Sequence, residues 1–183
     1  AMLAAGERMF AYSFDGYWKD VGTIDSLWDA NMDLLAPNDP LKLYDSTWCI
    51  YSRNPSLPPH FVGTEAEIDN SLVVEGCHID GAVHFSILFA GVTVEPGAVV
   101  QGSILMPGAV VKSGARVEYA IVAENAVIHE DAWVGAKPGT TEDAEDWGVA
   151  VIGEDVSVGR GAVVPPRAMV EQDIPAREEV TPQ

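Results

Sequence analysis

Aliphatic residues return at every sixth position through much of the stretch from Ile68 to Val170. Ile152, Val158, Val164 and Val170 fall six apart, and Ala162 and Ala168 follow Val158 and Val164 by four. The same phase links Val94 to Val100, Val111 to Val117 and Ile128 to Val134, with Ala98, Ala115 and Ala132 in the small-residue place. Between these blocks the phase slips by about one residue, as from Met106 to Val111. A period of six fits neither a helix nor an alternating strand. It is the period of a hexapeptide β-helix, with one short strand and one turn per hexad and three hexads per triangular coil. The aliphatic residue points into the prism, and the fifth-position residue faces inward at the corner, where Ala, Ser or Cys fits. Each coil buries its faces only by stacking on neighbours. A β-sandwich with regular turns is the competing reading, and the persistence of the period favours the solenoid. The expected fold is mainly β, a left-handed parallel β-helix over residues 68–175, with stacked residues near eighteen apart.

The residues before it carry other patterns. Glu7 to Phe14 alternate, with Met9, Ala11 and Ser13 on one side and Phe10, Tyr12 and Phe14 on the other, which predicts a strand. Asp15-Gly16 is a turn signal. Thr23 is placed to cap a helix from Ile24 to about Leu35, with Ile24, Leu27, Trp28 and Leu35 on one face. Asp25 suits the first turn of that helix, and Pro37 and Pro40 end it. A strand and one helix cannot build a core of any size, so residues 1–35 read as the end of an α/β domain whose body lies elsewhere. Residues 36–67 read as a Pro-rich linker, with an extended piece at Trp48 to Tyr51 and polyproline character at Ser56 to Pro59. Gly135 to Trp147 interrupts the repeat with an acidic loop, and residues 176–183 form a polar tail that starts to lose pattern at Asp173.

Composition narrows the classes. The formal net charge is −18 with ten Lys and Arg, which opposes nonspecific binding to nucleic acid or an anionic membrane. It also leaves this chain little with which to hold a polyphosphate. No apolar run approaches the ~20 residues that span a bilayer, and no signal-peptide pattern is present. Two cysteines make no disulfide framework, so a reduced, cytoplasmic protein is expected. Cys77 follows Val73 by four, at a small inward position, and reads as a core thiol.

Gly16-Tyr17-Trp18-Lys19-Asp20-Val21-Gly22-Thr23-Ile24, followed by Trp28 and Ala30-Asn31-Met32-Asp33-Leu34-Leu35, resembles the end of the catalytic domain of bacterial glucose-1-phosphate adenylyltransferases (ADP-glucose pyrophosphorylases). Leu43-Tyr44-Asp45, Trp48-Cys49-Ile50-Tyr51, Leu57-Pro58-Pro59, Asn70-Ser71-Leu72-Val73 and Glu75-Gly76-Cys77-His78-Ile79 resemble the same family's join to its β-helix. The likeness covers roughly residues 10–135 and, more loosely, the rest. It implies a nucleotidyltransferase that joins ATP and glucose 1-phosphate, with Mg²⁺, to give ADP-glucose and pyrophosphate for glycogen synthesis. It further implies that Asp20 is a Mg²⁺ ligand and that Trp18 lines the glucose 1-phosphate site. From the residues alone, Asp20 reads instead as support for the start of the helix. The β-helix of the family serves assembly, a tetramer in the parent enzyme, and helps form an activator site. Lys112 and Arg116 are the candidates for that site here, while Glu118 and Tyr119 stand where Arg-rich members carry basic residues. The family's Gly-rich nucleotide loop, its other metal-binding Asp and its Lys and Glu for glucose 1-phosphate find no match. The expectation is therefore a C-terminal part that holds no catalytic residue and makes no ADP-glucose by itself.

Other classes remain in view. A hexapeptide acyltransferase needs a catalytic His, for which His129 is the candidate, and a β-helical carbonic anhydrase needs three His on zinc. His78 and His84 are one hexad apart, which puts them on adjacent faces, and no stacked histidine pair is expected. A non-catalytic regulatory paralogue, another sugar-1-phosphate nucleotidyltransferase and a bare oligomerisation module complete the alternatives.

Overall fold

The computed structural model describes residues 2–37, 41–51, 55–139 and 148–177. Three six-stranded parallel sheets form the faces of a prism. The first face stacks Phe61–Val62, His78–Ile79, Thr93–Val94, Val110–Val111, Val127–Ile128 and Ser157–Val158. The second stacks Glu67–Asp69, Ala82–His84, Val99–Gln101, Arg116–Glu118, Trp133–Gly135 and Val163–Val164. The third stacks Leu72–Val73, Ile87–Leu88, Ile104–Leu105, Ala120–Val122, Ala150–Ile152 and Met169–Val170. This is the expected parallel β-helix, with the backbone groups of each coil bonded to the coils on either side.

The hexad pattern explains the interior. Val94, Val111 and Ile128 stack in register, as do Val100, Val117 and Val134, and Leu88, Leu105 and Val122. All are fully buried, and Ala98, Ala115 and Ala132 fill the corners beside them. Cys77 is buried too, its Sγ 3.1 Å from the Phe89 carbonyl, and burial raises its thiol pKa. The stacking distance along the sequence is seventeen for these rungs rather than eighteen. Val83 to Leu88, Val100 to Leu105 and Val117 to Val122 are five apart, because one corner of the prism is a residue shorter than the other two. That corner turns on Phe85, Gly102 and Tyr119 with φ of 46°, 57° and 50°. One earlier coil is shorter still, since Ile68 to Val83, Val73 to Leu88 and Ile79 to Val94 are each fifteen apart. The corner after Ile79 runs through Gly81, where a Cβ would lie 2.5 Å from the Ala98 carbonyl oxygen.

The short corner carries a hydroxyl ladder, fully buried at Ser86 and Ser103. Ser71 Oγ accepts the Ser86 N–H, Ser86 Oγ accepts the Ser103 N–H, and Ser103 Oγ accepts the Ala120 N–H, each at 3.1 Å. Each hydroxyl donates in turn to the carbonyl two residues before it, at 2.7–2.8 Å. The hydroxyls thus supply the acceptors that the tight corner takes away from the backbone. Ser103→Ala strands the buried Ala120 N–H. We expect it to cost about 1–3 kcal/mol in chemical denaturation, and an unchanged midpoint would show that the ladder contributes nothing.

The helix forms where expected. α1 (Ile24–Met32) continues into a 3-10 turn at Asp33–Leu35. Thr23 Oγ1 accepts the Ser26 N–H at 3.2 Å and Ser26 Oγ accepts the Thr23 N–H at 3.0 Å, a reciprocal cap. The apolar side of α1 finds its partner on the outer side of the third face. Ile24, Leu27, Trp28, Met32 and Leu35 pack over Leu72, Ile87, Ile104, Ile121 and Val149.

Several expectations are corrected. Residues 7–14 form no strand, since among the described residues no segment pairs with them to take their hydrogen bonds. Phe10, Tyr12 and Phe14 stand exposed. Trp48 to Tyr51, expected as an extended piece, belongs to no strand among the described residues and stands exposed. The solenoid starts at Phe61, not at Ile68, because Phe61–Val62 pairs with His78–Ile79. At the other end the order runs on past Val170. Ile174 bridges to Val158, Asp173 Oδ1 accepts the Ser157 N–H, and the Arg177 N–H donates to Arg160. Of the acidic loop, Gly135 still belongs to a strand, residues 136–139 leave the coil, and residues 140–147 lie outside the described residues. Residues 178–183 of the tail also lie outside them.

Candidate functional site

The stretch before α1 alternates in burial. Tyr17 and Lys19 are half-buried, while Trp18 is 75% exposed and Asp20 is exposed. The inward pair is tied to the helix. Tyr17 Oη donates to Asp33 Oδ2 at 2.8 Å, and Lys19 Nζ donates to the same oxygen at 2.8 Å. Lys19 Nζ also lies 2.7 Å from Asp29 Oδ2. Asp29 and Asp33 hold the Lys19 ammonium far more basic than usual, and Lys19 and Tyr17 together lower the Asp33 carboxyl. The hydrogen bond to Asp33 raises the Tyr17 phenol. None of these links was read from the sequence. Which acidic residue answers Tyr17 and Lys19 depends on where the helix turns, and spacing along the chain does not show that.

Trp18 and Asp20 share the outward side of this loop. Asp20 Oδ1 accepts the Gly22 N–H at 3.2 Å, a local turn that leads into the Thr23 cap. This is the helix-supporting role that the residues alone suggested. Asp20 is otherwise exposed, and a carboxylate suits a hard cation, whose preferred donors are carboxylate oxygens, water and phosphate.

Lys112 and Arg116 sit away from this loop. Lys112 lies on the corner between the first and second faces, and Arg116 opens the strand Arg116–Glu118 on the second face, whereas α1 covers the third. Lys112 Nζ is 2.7 Å from Glu95 Oε1, and Glu95 Oε2 accepts from Ser113 N and Oγ at 3.0 and 3.1 Å. Arg116 lies over the Trp133 ring at 5.5 Å. Lys112 holds the Glu95 carboxyl below its ordinary value of 4.5. A lowered folded-state pKa means the stabilisation is complete above the unfolded value and is lost as pH falls through the folded one. We expect Glu95→Gln to lower stability at pH 7 by up to about 1 kcal/mol, given the half-exposed pair. The gap between variant and wild type should close as the pH drops below the carboxylate range. A gap that persists at low pH would assign the loss to something other than charge.

The histidines do not gather. His60 and His78 are eighteen apart, but the register partner of His78 is Phe61, which stacks on its ring at 4.7 Å. His78 Nε2 lies 2.9 Å from Asp80 Oδ2. His129 Nε2 is 2.9 Å from Ser157 Oγ on the surface of the last coils. Among the described residues no group of three or more His, Cys, Asp or Glu is placed to hold a metal ion, and no helix is long and apolar enough to cross a membrane.

Comparison with known proteins adds to this geometry. Residues 58–153 match the family described as GlmU-like, C-terminal hexapeptide, and residues 1–36 match the family described as nucleotidyl transferase. A protein of Clostridium perfringens (strain SM101 / Type A) named glucose-1-phosphate adenylyltransferase is 59% identical over 100 residues, which is 55% of this chain and 26% of that protein. A protein of the same name from Geobacillus stearothermophilus is 55% identical over 100 residues, and one from Bacillus cereus (strain ATCC 10987 / NRS 248) is 52% identical over 99. Each of these matches spans about a quarter of the relative's length.

Proposed function

Since the chain belongs to the GlmU-like C-terminal hexapeptide family, we propose that it is the β-helical C-terminal part of a glucose-1-phosphate adenylyltransferase. The observation that carries this reading is the 59% identity to the Clostridium perfringens enzyme, together with the nucleotidyl transferase match over the loop that presents Trp18 and Asp20. The complete reaction joins ATP to glucose 1-phosphate and releases pyrophosphate, and its product, ADP-glucose, feeds glycogen synthesis in the cytoplasm.

In this reading the exposed Asp20 carboxylate is a ligand for Mg²⁺, and the exposed Trp18 indole gives the sugar ring an apolar face. The cation, when bound, neutralises charge on the phosphates as they react. A single carboxylate suits an ion that keeps several waters and takes its remaining oxygens from substrate. The β-helix supports assembly, a homotetramer in the complete enzyme, and Lys112 and Arg116 contribute to an effector site on it. Both cations already have partners, Glu95 and Trp133, so an effector has to compete with them.

The test joins the nucleotidyl transferase segment of the Clostridium perfringens relative to the front of this chain. The fusion should form ADP-glucose from ATP and glucose 1-phosphate when Mg²⁺ is present, and Asp20→Asn should lower the rate by about tenfold, some 1.4 kcal/mol of barrier. The chain without that segment should form none. A folded fusion that turns over another sugar 1-phosphate in preference, or no substrate at all, would overturn the assignment.

A further inference from the structure

We infer that Asp33 is a positioning residue for the Trp18–Asp20 loop. A single carboxylate oxygen, Asp33 Oδ2, holds two residues of the loop, Tyr17 through its hydroxyl and Lys19 through its ammonium, both at 2.8 Å. These two residues flank Trp18. With 17 and 19 pinned inward, 18 and 20 are turned outward on the same side, as the alternation of an extended segment requires. Without the tether, Lys19 regains the long-chain freedom of a surface lysine, and Trp18 and Asp20 lose their common orientation.

The anchor is rigid because of where Asp33 sits. It follows Met32, the last residue of α1, and opens the 3-10 turn that ends at Leu35. Met32 and Leu35 are 5% and 7% exposed and pack on the third face of the β-helix. Trp28 ties the middle of the same helix to the Gly102 carbonyl at 2.7 Å. The loop is therefore referenced to the solenoid through carboxylates carried by α1 and its C-terminal end. Asp29, 2.7 Å from Lys19, adds a second contact but makes none to Tyr17 among the described residues. Asp33 is thus the member that joins both sides of Trp18.

That the loop binds ligand rests on the function proposed above, whereas the tether itself does not. The experiment separates the two in this chain. Tryptophans are replaced with 5-fluorotryptophan, and the Trp18 resonance is assigned by its loss in Trp18→Phe. Asp33→Ala should shift and sharpen that resonance toward the value of a free indole. It should also speed tryptic cleavage after Lys19 about threefold or more, with helix and β-helix content unchanged. Asp33→Glu should restore part of both, and Tyr17→Phe, which cuts one of the two ties, should fall between. Mn²⁺ is then titrated as the probe. It should broaden the Trp18 resonance in the wild type and not in Asp20→Asn, and Asp33→Ala should need about threefold more Mn²⁺.

An unchanged Trp18 signal and unchanged cleavage in both Asp33→Ala and Tyr17→Phe would overturn the positioning role, whatever Mn²⁺ does. A clear effect of Asp33→Ala with no broadening by Mn²⁺ in the wild type would uphold the tether and count against the ligand role of Asp20 instead. Broadening that Asp33→Ala leaves at the wild-type Mn²⁺ concentration would overturn the claim that the tether matters for the site.

Discussion

Val117→Asp should abolish folding at neutral pH, whereas Arg116→Asp, one residue before it, should leave the protein folded. Val117 is fully buried between Val100 and Val134 on the inner side of the second face. Arg116 is on the outer side of the same strand and exposed. Successive residues of a strand point to opposite sides, so the two substitutions test the same chemistry in opposite environments. Inside the prism a carboxylate has no donor and no water, and its effective penalty is several kcal/mol. The substitution also discards the valine contacts, which are worth about 2 kcal/mol. The sum, more than about 5 kcal/mol, consumes the stability of an ordinary domain. The new carboxyl has a raised pKa in the folded state, so the penalty is full above that value and shrinks as pH falls below it. Partial recovery of circular dichroism near pH 4 would fit this sign. Arg116→Asp forfeits the contact with Trp133, about 1 kcal/mol at such an exposed site. Equal behaviour of the two variants would show that the inward and outward assignments are wrong.

The interior was legible because the same requirement recurs in every coil. Val94, Val100, Val111 and Val117 announce the prism through spacing alone, and Ala98 and Ala115 mark its corners. The slip in phase was visible, but its cause was not. Ser71, Ser86 and Ser103 read as unremarkable small residues until their hydroxyls are seen replacing backbone acceptors at the short corner. Phe61 and Val62 were hidden for a different reason. They form the first rung, so no coil covers them from the outer end, and they lack the repeat on that side. Met9 to Phe14 shows the limit of alternation as a signal, since a pattern fit for a strand makes none without a neighbour. In the loop, Trp18 and Asp20 stood out through a family likeness. Asp33, which orients them, lay within the same likeness but carried no role there, because its role depends on the turn that brings residue 33 back to residues 17 and 19.

The join between helix and solenoid was the least expected feature, and its loss should be the second largest effect. Trp28→Ala should release α1 from the third face at a cost of about 3 kcal/mol, the low end for a tryptophan because its ring is only partly buried. Three things go together. The Nε1–H donates to the Gly102 carbonyl at 2.7 Å, the ring meets Tyr119 at 5.9 Å between centroids, and the indole joins the cluster around Ile104 and Ile121. Gly102 and Tyr119 occupy the short corner in consecutive coils, so one side chain of α1 touches two rungs of the solenoid. The β-helix has its own interior, independent of the helix. Hydrogen exchange should therefore show lost protection in residues 24–32 while Val100, Val117 and Val134 keep theirs. The Tyr17–Lys19–Asp33 tether should survive the substitution, since all three residues lie on the released side, but it would no longer be fixed relative to the β-helix. If exchange rises throughout the solenoid as well, the helix is part of the fold's own core. If it rises nowhere, the docking rests on Met32 and Leu35, and Trp28 only covers them.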